Sequence, residues 1–192
     1  MLRPFVLPDD GRDPMMPQPH PAASPVAIRR WRDVPGKDRL IKDLDAIFFE
    51  ASNTKSFPSE EARLAFRERW FGRYLEQHPQ WAYVAQAADG TVAGYLVGAL
   101  DEASGFDDFA SAAQAFPAHL HINLAPQFRS RGIGADLIEA FVADAARAGA
   151  KGVHVVTSAD ARNVRFYERV GFKPRARTAV NDHELVFLGR TL

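Results

Sequence analysis

From Val26 to Trp31 apolar and polar residues alternate, with Val26, Ile28 and Trp31 apolar, and Pro35-Gly36 stops the run, so a first strand is predicted there. Leu40, Ile41, Leu44, Ile47 and Phe48 then recur at helical spacing and form one stripe of an amphipathic helix. A second helix starts at Pro58-Ser59-Glu60-Glu61, with Ser59 as N-cap and two carboxylates in a first turn that favours negative charge. Its predicted buried side is Leu64, Trp70, Phe71, Tyr74 and Leu75, and Pro79 closes it.

Trp81 to Ala87 and Thr91 to Leu100 flank Ala88-Asp89-Gly90 and read as a hairpin, since Asp-Gly accepts positive φ angles. A polar insertion, 101 to 117, carries Asp101, Glu102, Asp107 and Asp108 and has room for a short helix from Asp108 to Ala115. His119 to Ala125 is the fourth strand. Gly134 to Ala148 is a helix with Leu137, Ile138, Phe141 and Ala145 inward and Gly149 just past its end. Val153 to Thr157 is apolar except for His154, as in the buried middle of a sheet. A short helix, Arg162 to Arg169, ends at Gly171, and the last predicted strand spans Glu184 to Leu188. The order β, α, α, β, β, β, α, β, α, β, β implies an α/β fold, a mixed sheet with helices on both faces.

The 192 residues fit one domain, placed at 26–192. Residues 1–25 hold seven of the thirteen prolines and no sustained apolar period, which predicts a flexible arm. Twenty-four basic and twenty-four acidic residues cancel, removing the overall basic field expected of a nucleic-acid binder. No apolar stretch is long enough for a membrane span, and the start is too interrupted for a signal peptide, so a cytoplasmic location is expected. With no cysteine, a thiolate nucleophile, a Cys-ligated zinc and an Fe–S cluster are all excluded.

The informative segment is Gln127-Phe128-Arg129-Ser130-Arg131-Gly132-Ile133-Gly134-Ala135, between a strand and a helix. Its glycines permit a turn in which successive backbone N–H groups share one concavity at the positive end of a helix, a geometry that binds pyrophosphate. Neither the Rossmann nor the P-loop spacing is present. The segment resembles the pyrophosphate loop of the GNAT superfamily of N-acetyltransferases, Gln/Arg-x-x-Gly-x-Gly/Ala, with Arg129, Gly132 and Gly134 on the motif and Ser130, Arg131, Ile133 and Ala135 adding amides. Asn163-Val164-Arg165-Phe166-Tyr167-Glu168-Arg169-Val170-Gly171-Phe172 resembles the second motif of that family, one helix and one strand further on.

The resemblance implies the GNAT fold, a mixed, mostly antiparallel sheet of about six or seven strands with helices on both faces, and acetyl-CoA as cofactor, with its pantetheine arm wedged between splayed fourth and fifth strands. It places backbone groups around Ile122 and Leu124 on the pantetheine amides, Asn163 on the same arm and the Tyr167 phenol at the thioester sulfur. Read without the family, Tyr167 is a buried aromatic beside Phe166, and Asn163 a helix-start residue satisfying local backbone.

On the fourth strand His119, His121 and Asn123 share one face and Leu120, Ile122 and Leu124 the other. Three polar side chains on one face of a central strand suggest a cleft, and histidine titrates where an amine must lose a proton. His121 or His119 is thus the candidate general base, a hydrogen-bonded structural histidine the alternative; His154 reads as a packed or rim residue. The pair resembles the His-x-His of arylalkylamine acetyltransferases but lies one residue nearer the phosphate loop, and Ala118 stands nearest to the Glu of histone acetyltransferases. Pro117 to Asn123 also resembles bacterial proteins related to the acetyltransferase-like C-terminal domain of O-GlcNAc hydrolases.

The implied activity is direct acetyl transfer to an amine, small molecule or peptide, in a ternary complex. The alternative is a catalytically weak acyl-CoA-binding or protein-interaction module on the same fold. Residues 49 to 60 and 101 to 117 are expected to border the acceptor, with Phe48, Phe49 and Phe57 a candidate apolar wall. The acidic insertion would favour cationic amines. A monomer and a homodimer are both compatible with the sequence.

Overall fold

The computed structural model describes residues 25–100, 107–180 and 182–192. The predicted arm, apart from Pro25, and Asp101 and Glu102 of the acidic insertion lie outside the described residues.

The first half of the chain runs β1 (Val26–Arg30), α1 (Lys37–Ala51), α2 (Glu60–Arg67), a π-helical turn (Glu68–Gly72), α3 (Arg73–Gln77), β2 (Ala82–Ala87) and β3 (Val92–Ala99). The second runs α4 (Ala110–Ala115), β4 (Ala118–Leu124), α5 (Ile133–Arg147), β5 (Gly152–Ser158), α6 (Val164–Arg169), β6 (Lys173–Val180) and β7 (His183–Thr191). Among the described residues the strands form one sheet in the order β1-β2-β3-β4-β5-β7-β6. Every neighbouring pair is antiparallel except β4 with β5. This is the mixed, mostly antiparallel α/β sheet expected from the sequence.

Strand alternation places a large hydrophobic cluster on each face of the sheet. On one face Leu137, Ile138, Phe141 and Ala145 of α5 are fully buried in a cluster that includes Leu96, Leu120, Val153 and Val155. On the other, Leu44 and Phe48 of α1, Phe71 and Tyr74 pack in a cluster with Val84, Tyr95 and Val97. Ser59 caps α2 by accepting the Ala62 N–H at 3.2 Å, as its sequence position implies.

The expected stripe of the second helix needs one correction. Leu64 is 51% exposed, whereas Phe71 and Tyr74 are buried. The π turn, which begins after Leu64 and contains Phe71, adds a residue to the helix, so positions in phase at 3.6 residues per turn fall out of phase across it. Pro79 opens a short 3-10 turn, Pro79–Trp81, after α3 has ended. Trp31 and Trp81 lie in 3-10 turns outside their expected strands, α5 starts at Ile133, and α6 starts at Val164. No described helix is long and apolar enough to cross a membrane.

Candidate active site

The site is built where β4 and β5 part. Their parallel pairing has two rungs, Ala118 with Val153 and His119 with His154, although β4 runs on to Leu124 and β5 to Ser158. The direction of the unused backbone groups follows from the β3–β4 ladder. The Ala125 N–H donates to the Ala93 carbonyl at 3.0 Å, and the register continues as Tyr95 with Asn123 and Val97 with His121. Antiparallel strands alternate bonded and non-bonded pairs, so His119, His121 and Asn123 address β3 while Ile122 and Leu124 turn their N–H and C=O toward the gap. One of these groups is taken: the Leu124 carbonyl accepts from Arg129 Nε at 3.0 Å.

The glycine-rich turn sits at the head of α5. Ser130 and Gly132 have positive φ, 61° and 84°, and Gly132 is the N-cap. The Ala135 and Asp136 amides both donate to the Gly132 carbonyl, at 2.8 and 3.1 Å, closing the first turn. Ala135 is therefore bound within the helix and is not one of the free donors expected of it. The amides of Ser130, Arg131, Gly132, Ile133 and Gly134 donate to no described protein acceptor. Arg129 is held between Leu124 and the Glu50 carboxylate on α1. Arg131 forms no ion pair with the described residues and leans on Phe128, 5.6 Å from its ring centre. A row of amides and a guanidinium uncommitted among the described residues, at a helix N-terminus, make a place for an anion.

Helix α6 closes on this turn. A Cβ at Gly134 would lie 3.1 Å from Phe166 and 3.5 Å from Leu124, which brings the starts of α5 and α6 to the end of β4. Asn163 caps no amide with its side chain; its Oδ1 accepts from the Thr157 hydroxyl of β5 at 3.1 Å. Tyr167 is buried against Phe166 and Phe172, with ring centres 5.3 and 5.7 Å away. Its hydroxyl forms no hydrogen bond with the described residues, and burial pushes its pKa above the ordinary tyrosine value. The phenol thus stays protonated as an uncommitted donor.

The opposite face of β4 carries the histidines. A cavity of about 290 Å³ opens just past the last β4–β5 rung and is lined by His119, His121 and His154, Phe66 and Trp70, and Ser52 to Thr54. Tyr74 of α3 places its hydroxyl 2.8 Å from His119 Nε2 and 3.2 Å from His121 Nε2, and accepts from Arg73 Nη2 at 2.9 Å. His121 meets the Trp70 ring edge-on at 5.6 Å. Burial, the Arg73 charge and His154 together lower its pKa to about 4, so it is neutral near pH 7. His154 Nδ1 donates to the Phe116 carbonyl at 2.5 Å, and its ring stacks on Phe187; burial lowers its pKa too. Asn123 does not line the cavity but donates to the buried Tyr95 hydroxyl at 2.7 Å.

Of the expected apolar wall, Phe48 belongs to the core, while Phe49 and Phe57 line a second cavity of about 450 Å³ with Lys55 and Arg63. Sequence reasoning assigned Phe66 no role and took Trp70 and Tyr74 as core. The sequence places Trp70 and Tyr74 on the buried side of the second helix, and only their contacts with His121 of β4 show that this side also walls the site.

A family model described as the acetyltransferase (GNAT) family matches residues 39–172. A solved structure called SsHAT aligns over 86% of this chain and 98% of its own, with 22% identity and a TM-score of 0.65. An N-acetyltransferase from Staphylococcus aureus Mu50 covers 88% of this chain and 99% of its own, at 17% identity and TM-score 0.61. yncA from Salmonella typhimurium, solved with its cofactor acetyl-CoA, covers 88% and 94%, at 20% identity and TM-score 0.58. At such identities the likeness is one of fold.

Proposed function

From the membership of this chain in the acetyltransferase (GNAT) family, we propose that it is an enzyme that transfers an acetyl group from acetyl-CoA directly to an amine. The observation that carries this reading is the parting of β4 and β5 beside a turn of uncommitted amides. Such backbone groups need partners. The residues present fit the cofactor: Ser130 to Gly134 and Arg131 would hold the pyrophosphate, and the N–H and C=O of Ile122 would take the amides of the pantetheine arm. The Leu124 carbonyl, already bonded to Arg129, has one lone pair left for the same purpose. Asn163 would add its amide nitrogen, since its oxygen is held by Thr157.

When bound, acetyl-CoA supplies an acyl carbonyl activated as a thioester. The chain's own residues do the rest. His121, neutral and in contact with the cavity, accepts the amine proton, directly or through water. Tyr167 donates to the departing sulfur, an interaction that grows as negative charge develops there. His119 holds the Tyr74 hydroxyl and lies deeper than His121. The amine enters from the side of residues 52–54, 66 and 70, and no nucleic acid or membrane is part of the reaction.

The test combines calorimetry with acetyl-CoA and thiol release with a panel of alkyl, aryl, amino-acid and peptide amines. Binding with turnover of at least one amine is the expected result. Absence of acetyl-CoA binding by folded protein would overturn the proposal, and binding with no turnover across the panel would favour the non-catalytic acyl-CoA-binding module instead.

A further inference from the structure

The second cavity, of about 450 Å³, has no role in the mechanism above. It opens where the end of α1 meets the start of α2, and Phe49, Thr54, Lys55, Phe57, Glu60 and Arg63 line it. Two features join it to the histidine cavity. Thr54 lines both. Phe57 lies between Phe49, which it meets edge-on at 6.0 Å, and Phe66, whose ring centre is 5.3 Å away and which walls the histidine cavity. An aromatic row thus runs from one cavity into the other.

The charges of this cavity are held in place by the fold. The Arg63 guanidinium lies over the Phe49 ring, 3.9 Å from its centre, and donates Nη1–H to the Glu60 carboxylate at 2.8 Å. That bond uses one of its five N–H groups, and stacking on the ring orients the planar fork that carries the others. Lys55 Nζ donates to the Phe49 and Glu50 carbonyls at 3.3 and 2.5 Å, where the negative end of α1 favours a cation. An ammonium has three N–H groups, so one is left to give. Ordering a long cationic side chain costs entropy, and here much of that entropy is already lost before any ligand arrives.

Lys55 and Arg63 against Glu60 leave one positive charge in excess. A monoanion balances it, whereas a phosphate dianion would meet added repulsion from Glu60. A carboxylate also fits the guanidinium fork with two parallel N–H···O bonds, and the phenyl rings suit an apolar or aromatic carrier. We propose that this cavity binds the far end of the acetyl acceptor, and that this end is a carboxylate on an apolar or aromatic group. The acceptor is then an amine that bears an acid, its amine among the histidines and its carboxylate on Lys55 and Arg63. The acidic insertion 101–117 favours the opposite, an amine with a second cation, so the two readings diverge in their substrates. That the ligand is the acceptor rests on the proposed function; the carboxylate site itself does not.

The site is tested with no acetyl-CoA present, by NMR titration of the ¹⁵N-labelled full chain with phenylpropionate and with its neutral amide at low salt. The carboxylate should bind about fivefold more tightly, ~1 kcal/mol, as expected of two exposed ion pairs. It should shift the backbone amides of Thr54, Lys55 and Phe57 and the Arg63 Nε–H. Replacing both cations, Lys55→Gln with Arg63→Gln, should bring the two probes to equal affinity. Glu60→Gln removes the competing carboxylate and should widen the difference, a gain that loss of folding cannot imitate. Equal affinities in the wild type, or shifts confined to residues outside 49–63, would overturn the site.

Turnover with acetyl-CoA then tests the ligand. An amine bearing a carboxylate should exceed its own neutral amide in kcat/KM, and the excess should follow the same variants. Acetylation that favours the amide, or an amine with a second cation, would overturn the assignment to the acceptor. Acetylation of no amine at all would instead overturn the proposed function, which the titration does not depend on.

Discussion

Gly134, at the start of α5, and Phe166, on α6, are so close that a single added methyl at residue 134 would come 3.1 Å from the phenyl ring. The contact joins the two motifs that sequence alone could only place on either side of a helix and a strand. It also separates the roles of the two glycines in the turn. Gly132 has open space around its missing Cβ and owes its identity to a φ of 84°, whereas Gly134 is needed for the closeness of α6.

For this reason Gly132→Asp is the sharper probe of the anion site. It adds a negative charge beside uncommitted amides without striking a neighbour, so acetyl-CoA affinity should fall at least ~tenfold, about 1.4 kcal/mol. Gly132→Asn tolerates the same backbone conformation and carries no charge, and should retain most of the affinity. Calorimetry on both folded variants decides; equal affinities for Asp and wild type would remove the turn from the cofactor site.

Arg129 reaches both the Leu124 carbonyl and Glu50, tying the end of β4 to α1. Its ion pair is exposed, and such pairs contribute only ~0–1 kcal/mol. Arg129→Ala should therefore change stability in urea by less than about 1 kcal/mol. Acetyl-CoA affinity should fall by a larger factor than stability predicts, because a strand edge that borders the cofactor loses its anchor. A loss confined to stability would assign Arg129 a structural role alone.

Local features of this fold were readable from residue order because local physics determines them. Ser59 caps α2, Gly149 ends α5 at a φ of 86°, and Asp89-Gly90 turns the β2–β3 hairpin. The inward residues of α5 follow from their period. Leu64 was misplaced because periodicity assumes an unbroken α-helix, and the π turn at Glu68–Gly72 breaks that assumption. Strand β6 escaped delimitation because it is an edge: it pairs with β7 alone, and charged residues alternate with small ones along it. In the site, the turn and the Asn163 to Phe172 segment stood out because they are contiguous. The Tyr74 contacts and the orphaned backbone of Ile122 depend on which strands pair and where pairing stops, which no single segment encodes.

The lowered pKa of His121 changes the pH dependence first expected of a histidine base. With its pKa near 4, caused by burial and then by Arg73, His121 is already deprotonated at pH 6. The rate should therefore show no rising limb with a histidine-like midpoint between pH 6 and 8, and His121→Gln should lower kcat without altering the profile there. Stability carries the complementary sign. In the unfolded chain His121 titrates near its ordinary value, so between that value and about 4 the unfolded state binds a proton that the folded state refuses. Stability is thus fully present above the ordinary histidine pKa and falls as pH drops toward 4. Urea titrations should show a shallower fall for folded His121→Gln; a parallel fall would place the titration on another group.

Tyr167 is the remaining residue whose chemistry can be separated from its packing. Its ring is buried between Phe166 and Phe172, so removing the ring would collapse the core around it, but removing the hydroxyl alone would not. Because the hydroxyl has no hydrogen bond to the described residues, Tyr167→Phe breaks no internal bond and should leave stability within about 0.5 kcal/mol of wild type. Its effect should appear where sulfur acquires charge: kcat falling ~10- to 1000-fold, with acetyl-CoA affinity changed by far less. Thiols of lower pKa need less help in leaving, so an acyl donor with such a thiol should recover part of the lost rate. If chemistry limits the rate and kcat of Tyr167→Phe matches wild type, the phenol serves the core and another group assists the leaving sulfur.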